Sequence, residues 1–117
     1  MAFKMSESDK SNWTGKDFEF LIRGDVEIPE SKYDEIMTPN SYSWDKVIRN
    51  GWYYYEVGPD SFYYSWEPPG IQMAFNEEVS YQKAKQIAEE VISNILATGQ
   101  YAELIELGRD QVHRFDL

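Results

Sequence analysis

Between Trp52 and Leu96 the spacing of apolar residues changes from every second position to every third and fourth, so one short chain must build both strand and helix. Trp52-Tyr53-Tyr54-Tyr55-Glu56-Val57 and Phe62-Tyr63-Tyr64-Ser65-Trp66 are dense in aromatic residues that suit a pleated strand. Gly58-Pro59-Asp60-Ser61 between them places Pro where a type I turn takes it. With Val57 facing Phe62, one side of the hairpin carries Tyr53, Tyr55, Val57, Phe62, Tyr64 and Trp66, and the other carries Trp52, Tyr54, Glu56, Tyr63 and Ser65. The charge-free side is the expected core, because a slip of one residue would bury Glu56 without a partner. Glu67-Pro68-Pro69-Gly70 turns the chain again, and Ile71, Met73 and Phe75 alternate with Gln72 and Ala74 as a third strand. Beyond it Ala84, Ile87, Ala88, Val91, Ile92, Ile95 and Leu96 line one face of a helix, with Asn76 or Ser80 as its N-cap and Gly99 at its exit.

The flanking segments are read from weaker patterns. Residues 1–16 are polar and expected to fray, which leaves 17–117 as the single folded domain. Phe18, Phe20 and Ile22 alternate as a strand, followed by a turn or bulge at Gly24-Asp25 and by Val26-Glu27-Ile28 up to Pro29. Ser31 with Asp34 resembles a shortened capping box, and Tyr33, Ile36 and Met37 share a face, giving a short helix that ends at Pro39. Ser43–Gly51 fits either a helix or a strand entering an Asn50-Gly51 hairpin. Helix is preferred, because Trp44, Val47 and Ile48 share a helical face and the hairpin would set Asp45 against Glu56. Tyr101, Leu104 and Ile105 suggest another short helix stopped by Gly108, and 109–117 is unassigned, with Val112 and Phe115 as docking points. The expected fold class is α+β: an antiparallel β-meander sheet packed against one long amphipathic C-terminal helix, with short accessory helices.

Charge narrows the partners. The chain of 117 residues has a net charge of -10, which repels phosphate backbones and anionic lipid and favours a basic protein. No direct nucleic-acid or membrane contact is expected. Excess carboxylates also serve solubility alone. Without cysteine there is no disulfide or thiolate chemistry, and with neither a secretion signal nor an apolar run the expected location is the cytoplasm.

Groups able to cooperate in catalysis are scarce, so no enzymatic activity and no cofactor or metal is expected. Glu56 with Asp60, or Glu67 with Glu77, has no spacing that implies a paired acid and base, and turn carboxylates are ordinarily solvated. His113 is the sole histidine and has no second ligand beside it. No nucleophile elbow, phosphate loop or calcium loop occurs. The Asn12-Trp13-Thr14 acceptor triplet has no secretion signal to give it meaning. What remains is Trp52, Tyr54 and Tyr63 on the sheet face that a single helix leaves uncovered. Such rings stabilise a sheet through cross-strand pairing, and they also anchor interfaces.

In size, acidity and its hairpin-plus-helix segment from Gly51 to Leu96, including Trp52-Tyr53-Tyr54-Tyr55-Glu56 and Phe75-Asn76-Glu77-Glu78, the chain resembles the small immunity proteins that accompany bacterial contact-dependent and other polymorphic toxins. The resemblance implies a cognate toxin, often a nuclease, neutralised by occlusion of its active site. The expected contacts come from the residues themselves: Glu56, Asp60 and Glu67 supply steering, and Trp52, Tyr54 and Tyr63 supply desolvated contact. The alternatives are a phage-type inhibitor that imitates nucleic acid with spaced carboxylates, and a small ligand-binding domain with an aromatic pocket.

Overall fold

A computed structural model describes residues 12–67 and 70–108, with the side chain of Glu67 outside that description. The fold is α+β: a six-stranded antiparallel sheet with two helices. The elements in chain order are β1 (Glu19–Arg23), a 3-10 turn (Glu30–Lys32), α1 (Tyr33–Ile36), β2 (Asp45–Arg49), β3 (Trp52–Val57), β4 (Asp60–Glu67), β5 (Gly70–Phe75), α2 (Tyr81–Leu96) and β6 (Glu103–Leu107). The sheet order is β2-β3-β4-β5-β1-β6, so the expected meander of β3, β4 and β5 is its centre. Both β5 and β6 lie antiparallel to β1 and therefore run the same way, and α2 makes the long crossover that such a pair requires.

Alternation places the core on one face. Phe20 and Ile22, Tyr55 and Val57, Phe62 and Tyr64, and Ile71, Met73 and Phe75 are buried against Ala84, Ile87, Ala88, Val91 and Ile95 of α2. The helix of 16 residues buries Ala84, Ile87, Ala88, Val91 and Ile95 of the expected apolar stripe, whereas Ile92 is only partly buried and Leu96 is 47% exposed, and Ser80 caps the helix by accepting from the Lys83 backbone N–H at 3.3 Å. Gly99 takes φ 91 just beyond it. The strand that follows means that this helix is not the last element of the described chain. Segment 33–44 covers a further part of that face: Tyr64 Oη donates to the Met37 carbonyl at 2.8 Å, and Asn94 of α2 donates to the carbonyls of Ile36 and Thr38 at 3.1 and 3.0 Å.

Several expectations are corrected. Ser43–Gly51 is not helix: Asp45–Arg49 is edge strand β2, joined to β3 through Asn50 (φ 53) and Gly51 (φ 82). Both loop residues take positive φ, the demand of a type I′ turn that Asn-Gly meets best. Asp45 does lie opposite Glu56, but Arg49 pairs with Glu56 and Asp45 is exposed, so the repulsion is small. The segment around Leu104 is strand β6 on β1, not helix, because Ile105 pairs with Leu21 and Leu104 with Ile22 in register. The β3–β4 loop is two residues, Gly58-Pro59, with Val57 opposite Asp60 instead of Phe62. Gly58 at φ 62 followed by Pro, whose φ must be negative, is the type II′ arrangement. The register moves by two, so each side chain keeps its expected face. Ser31 caps nothing; the first turn begins one residue earlier at Glu30 and has no side-chain cap bond. Within the segment expected to fray, residues 1–11 lie outside the described ones, whereas Trp13 is 9% exposed and meets Tyr81 edge to face with centroids 6.2 Å apart. Val112, His113 and Phe115 lie outside the described residues.

Candidate partner-binding surface

The face opposite α2 takes its residues from alternate positions of every strand. Register sets Val47 beside Tyr54 and Tyr63 beside Ala74, and in the next row Arg49 beside Trp52 and Gln72 beside Leu21. No described helix packs on this face. Trp52, Tyr54 and Tyr63 therefore come together as expected: the Tyr54 and Tyr63 centroids are 5.2 Å apart and those of Trp52 and Tyr63 are 6.4 Å apart. Trp52 is 55% exposed and the two tyrosines are half-buried. Burial, then the neighbouring Tyr54 and Glu19, raise the Tyr63 phenol above its ordinary pKa, so it stays a neutral donor at physiological pH.

Strands β3 and β4 pair only from Val57↔Asp60 to Tyr55↔Phe62, whereas β3 is paired to β2 from Trp52 to Glu56, and β4 to β5 from Phe62 to Glu67. Beyond Tyr55 the two strands separate, and Trp52 borders a cleft on each side of the sheet. The cleft on the face opposite α2, about 370 Å³, lies between Trp52, Tyr54, Tyr63, Ser65, Gln72 and Glu19. The cleft on the other face, about 460 Å³, is walled by Tyr33, Tyr53, Tyr55, Tyr64, Trp52 and Trp66, with Glu30, Asp34 and Lys46 among its polar groups. Tyr53 and Trp66 were expected in the core; at this opened end they are 56% and 49% exposed and form its rim. A larger crevice of about 670 Å³ beside the end of α2 has polar walls that bind each other: Asn94 holds the carbonyls of Ile36 and Thr38, and Gln100 bonds the backbone N–H and carbonyl of Glu27.

The three expected steering carboxylates behave differently from one another. Glu56 is paired with Arg49, whose guanidinium lies over the Tyr54 ring 5.6 Å from its centroid. Asp60 is taken up inside the fold, accepting from Lys83 Nζ at 2.7 Å and from Asn76 Nδ2 at 3.1 Å. Glu67 closes β4 opposite Gly70 and its side chain is not among those described. The carboxylates at the second cleft were not expected, because Glu30 and Asp34 reach it from a segment remote in sequence from β3 and β4. Among the described residues no helix is long and apolar enough to cross a membrane. No protein-family model, curated protein or solved structure matches this chain.

Proposed function

We propose that this chain is a bacterial immunity protein of the cytoplasm, one that binds a basic toxin domain, a nuclease being the leading candidate, and blocks its active site. The observation that carries the reading is the cluster of Trp52, Tyr54 and Tyr63 on the sheet face that no described helix covers. Large rings with few torsions to freeze are the side chains that anchor interfaces. The net charge of -10 supplies the long-range attraction that a basic partner needs. Because Glu56 and Asp60 are engaged within the fold, steering belongs to the field of the whole chain more than to those two groups.

The test is co-expression with any basic toxin domain that a reading frame adjoining this one proves to encode. The wild-type chain is expected to restore growth, and Trp52→Ala and Tyr63→Ala are each expected to weaken binding roughly thirtyfold, the scale of an interface anchor, with melting temperature little changed. Failure of the wild type to protect, or full-strength binding by both variants, overturns the reading. The ligand-binding alternative draws support from one observation, the aromatic cleft of about 460 Å³ on the other side of the sheet.

A further inference from the structure

We infer that the cleft between β3, β4 and α1 is a binding site for an alkylammonium group, which enters beside or in place of Lys46.

The chain already supplies a stand-in for that ligand. Lys46 Nζ lies 4.3 Å from the centroid of Tyr53 and 5.9 Å from that of Tyr55, and it donates to Asp34 Oδ1 at 3.0 Å. An ammonium on an alkyl stem thus meets an aromatic wall and a carboxylate at once, the combination that recognises organic cations. The wall is held in place before any ligand arrives. Tyr55 Oη donates to Asp34 Oδ1 at 2.6 Å, and Trp66 Nε1 donates to Tyr33 Oη at 3.0 Å. Fixed ring edges leave ring faces to line the space and lower the entropy cost of binding.

Charge and volume then call for a second cation. Glu30 and Asp34 against Lys46 leave the lining at a net charge of one negative unit, and both Asp34 bonds fall on Oδ1, leaving Oδ2 to accept from a newcomer. A space of about 460 Å³ is within the range of small-ligand sites. Lys46 itself sits on strand β2, which among the described residues has a neighbouring strand on one side only, so its movement out of the cleft breaks its bond to Asp34 and leaves the sheet pairing in place. The inference does not use the face carrying Tyr54 and Tyr63, and it holds whether or not the partner is a toxin.

The experiment is titration with n-butylammonium chloride at millimolar concentration, followed through the indole N–H resonances of Trp52 and Trp66. n-Butanol and sodium chloride at matched ionic strength are the controls. Saturable shifts of both indoles are expected with the amine and not with the controls. Lys46→Met, which keeps the stem and removes the charge, is expected to tighten binding roughly three- to tenfold by removing the competing cation from Asp34 and the Tyr53 ring. Tyr53→Ala, at an exposed rim position, is expected to weaken it by a similar factor with the melting temperature held. A lysine residue blocked at both ends separates the sources: binding of that residue points to a protein side chain, and binding of the free amine alone points to a small metabolite, with the site supported in either case. Shifts no larger than those in salt, unchanged affinity in Lys46→Met, or undiminished affinity in Tyr53→Ala overturn it. A saturating site in a chain that fails to protect against such a toxin domain would leave this inference standing and remove only the immunity reading.

Discussion

Asp60 ties three parts of the chain together. Its carboxylate accepts from Lys83 of α2 at 2.7 Å and from Asn76 at 3.1 Å, while Lys83 also donates to the Val57 carbonyl at 2.9 Å across the β3–β4 turn. Both side chains of the pair are largely buried, at 13% and 23% exposure, so removing one charge strands the other where water screens it poorly. Asp60→Asn is expected to cost about 2 kcal/mol in urea unfolding, less than a fully buried pair would because some solvent reaches it. A loss within error would mean that the pair is solvated and the turn held by backbone alone. Nothing in the sequence marks this role, since the contact joins positions 23 apart and Asp60 looks like any turn carboxylate. The aromatic trio was legible because alternation within a strand fixes which side chains share a face, independently of what the rest of the chain does.

Strand β2 and its turn behave as an element with little support. Four of its five residues are exposed, and among the described residues it pairs only with β3. Gly51 at φ 82 has no heavy atom within 4 Å of the position a Cβ would take, so a substitution there meets backbone strain and no clash. Gly51→Ala is expected to cost about 1 kcal/mol, the cost of a Cβ in the left-handed region. The loss should be local: faster amide exchange across Asp45–Arg49, with protection of Ile71–Phe75 unchanged. Equal loss in both strands would show that the hairpin is part of the global folding unit. This element was misread because the pattern of Trp44, Val47 and Ile48 serves a helix and an edge strand equally, and because a like-charge pair is costly only where no cation sits nearby. Arg49, over Tyr54 and against Glu56, is that cation. The segment at Leu104 was misread for a related reason, as its strand state depends on the open edge of β1, a neighbour about eighty positions away. Helix α2 needed no such partner to be recognised, since its stripe and its Ser80 cap are local.

At the scale of the whole molecule, the tyrosines link sheet, helix and segment 33–44 through neutral phenols. Tyr55 donates to Asp34, Tyr64 to the Met37 carbonyl, and Tyr81 to Glu106, so the three bonds anchor β3, β4 and α2 to different neighbours. Burial raises all three phenols above their ordinary pKa of 10.0, and for Tyr55 and Tyr81 the accepting carboxylates raise them further. The sign of the linkage follows. A group whose folded pKa is raised contributes stability that is fully present below the unfolded value and is lost as pH rises above it. Below pH 10 the unfolded and folded chains hold these protons equally; above it the unfolded chain releases them first, and stability falls with each further rise. Alkaline unfolding is therefore expected to begin near pH 10 and to coincide with the growth of phenolate absorbance. Tyr64→Phe separates the linkage from the loss of a hydrogen bond: at neutral pH it is expected to cost about 1 kcal/mol. Above pH 10 its unfolding free energy should fall less steeply than that of the wild type, because one linked proton is gone. Parallel slopes for the two proteins would show that the Tyr64 phenol is structural without being a source of the pH dependence.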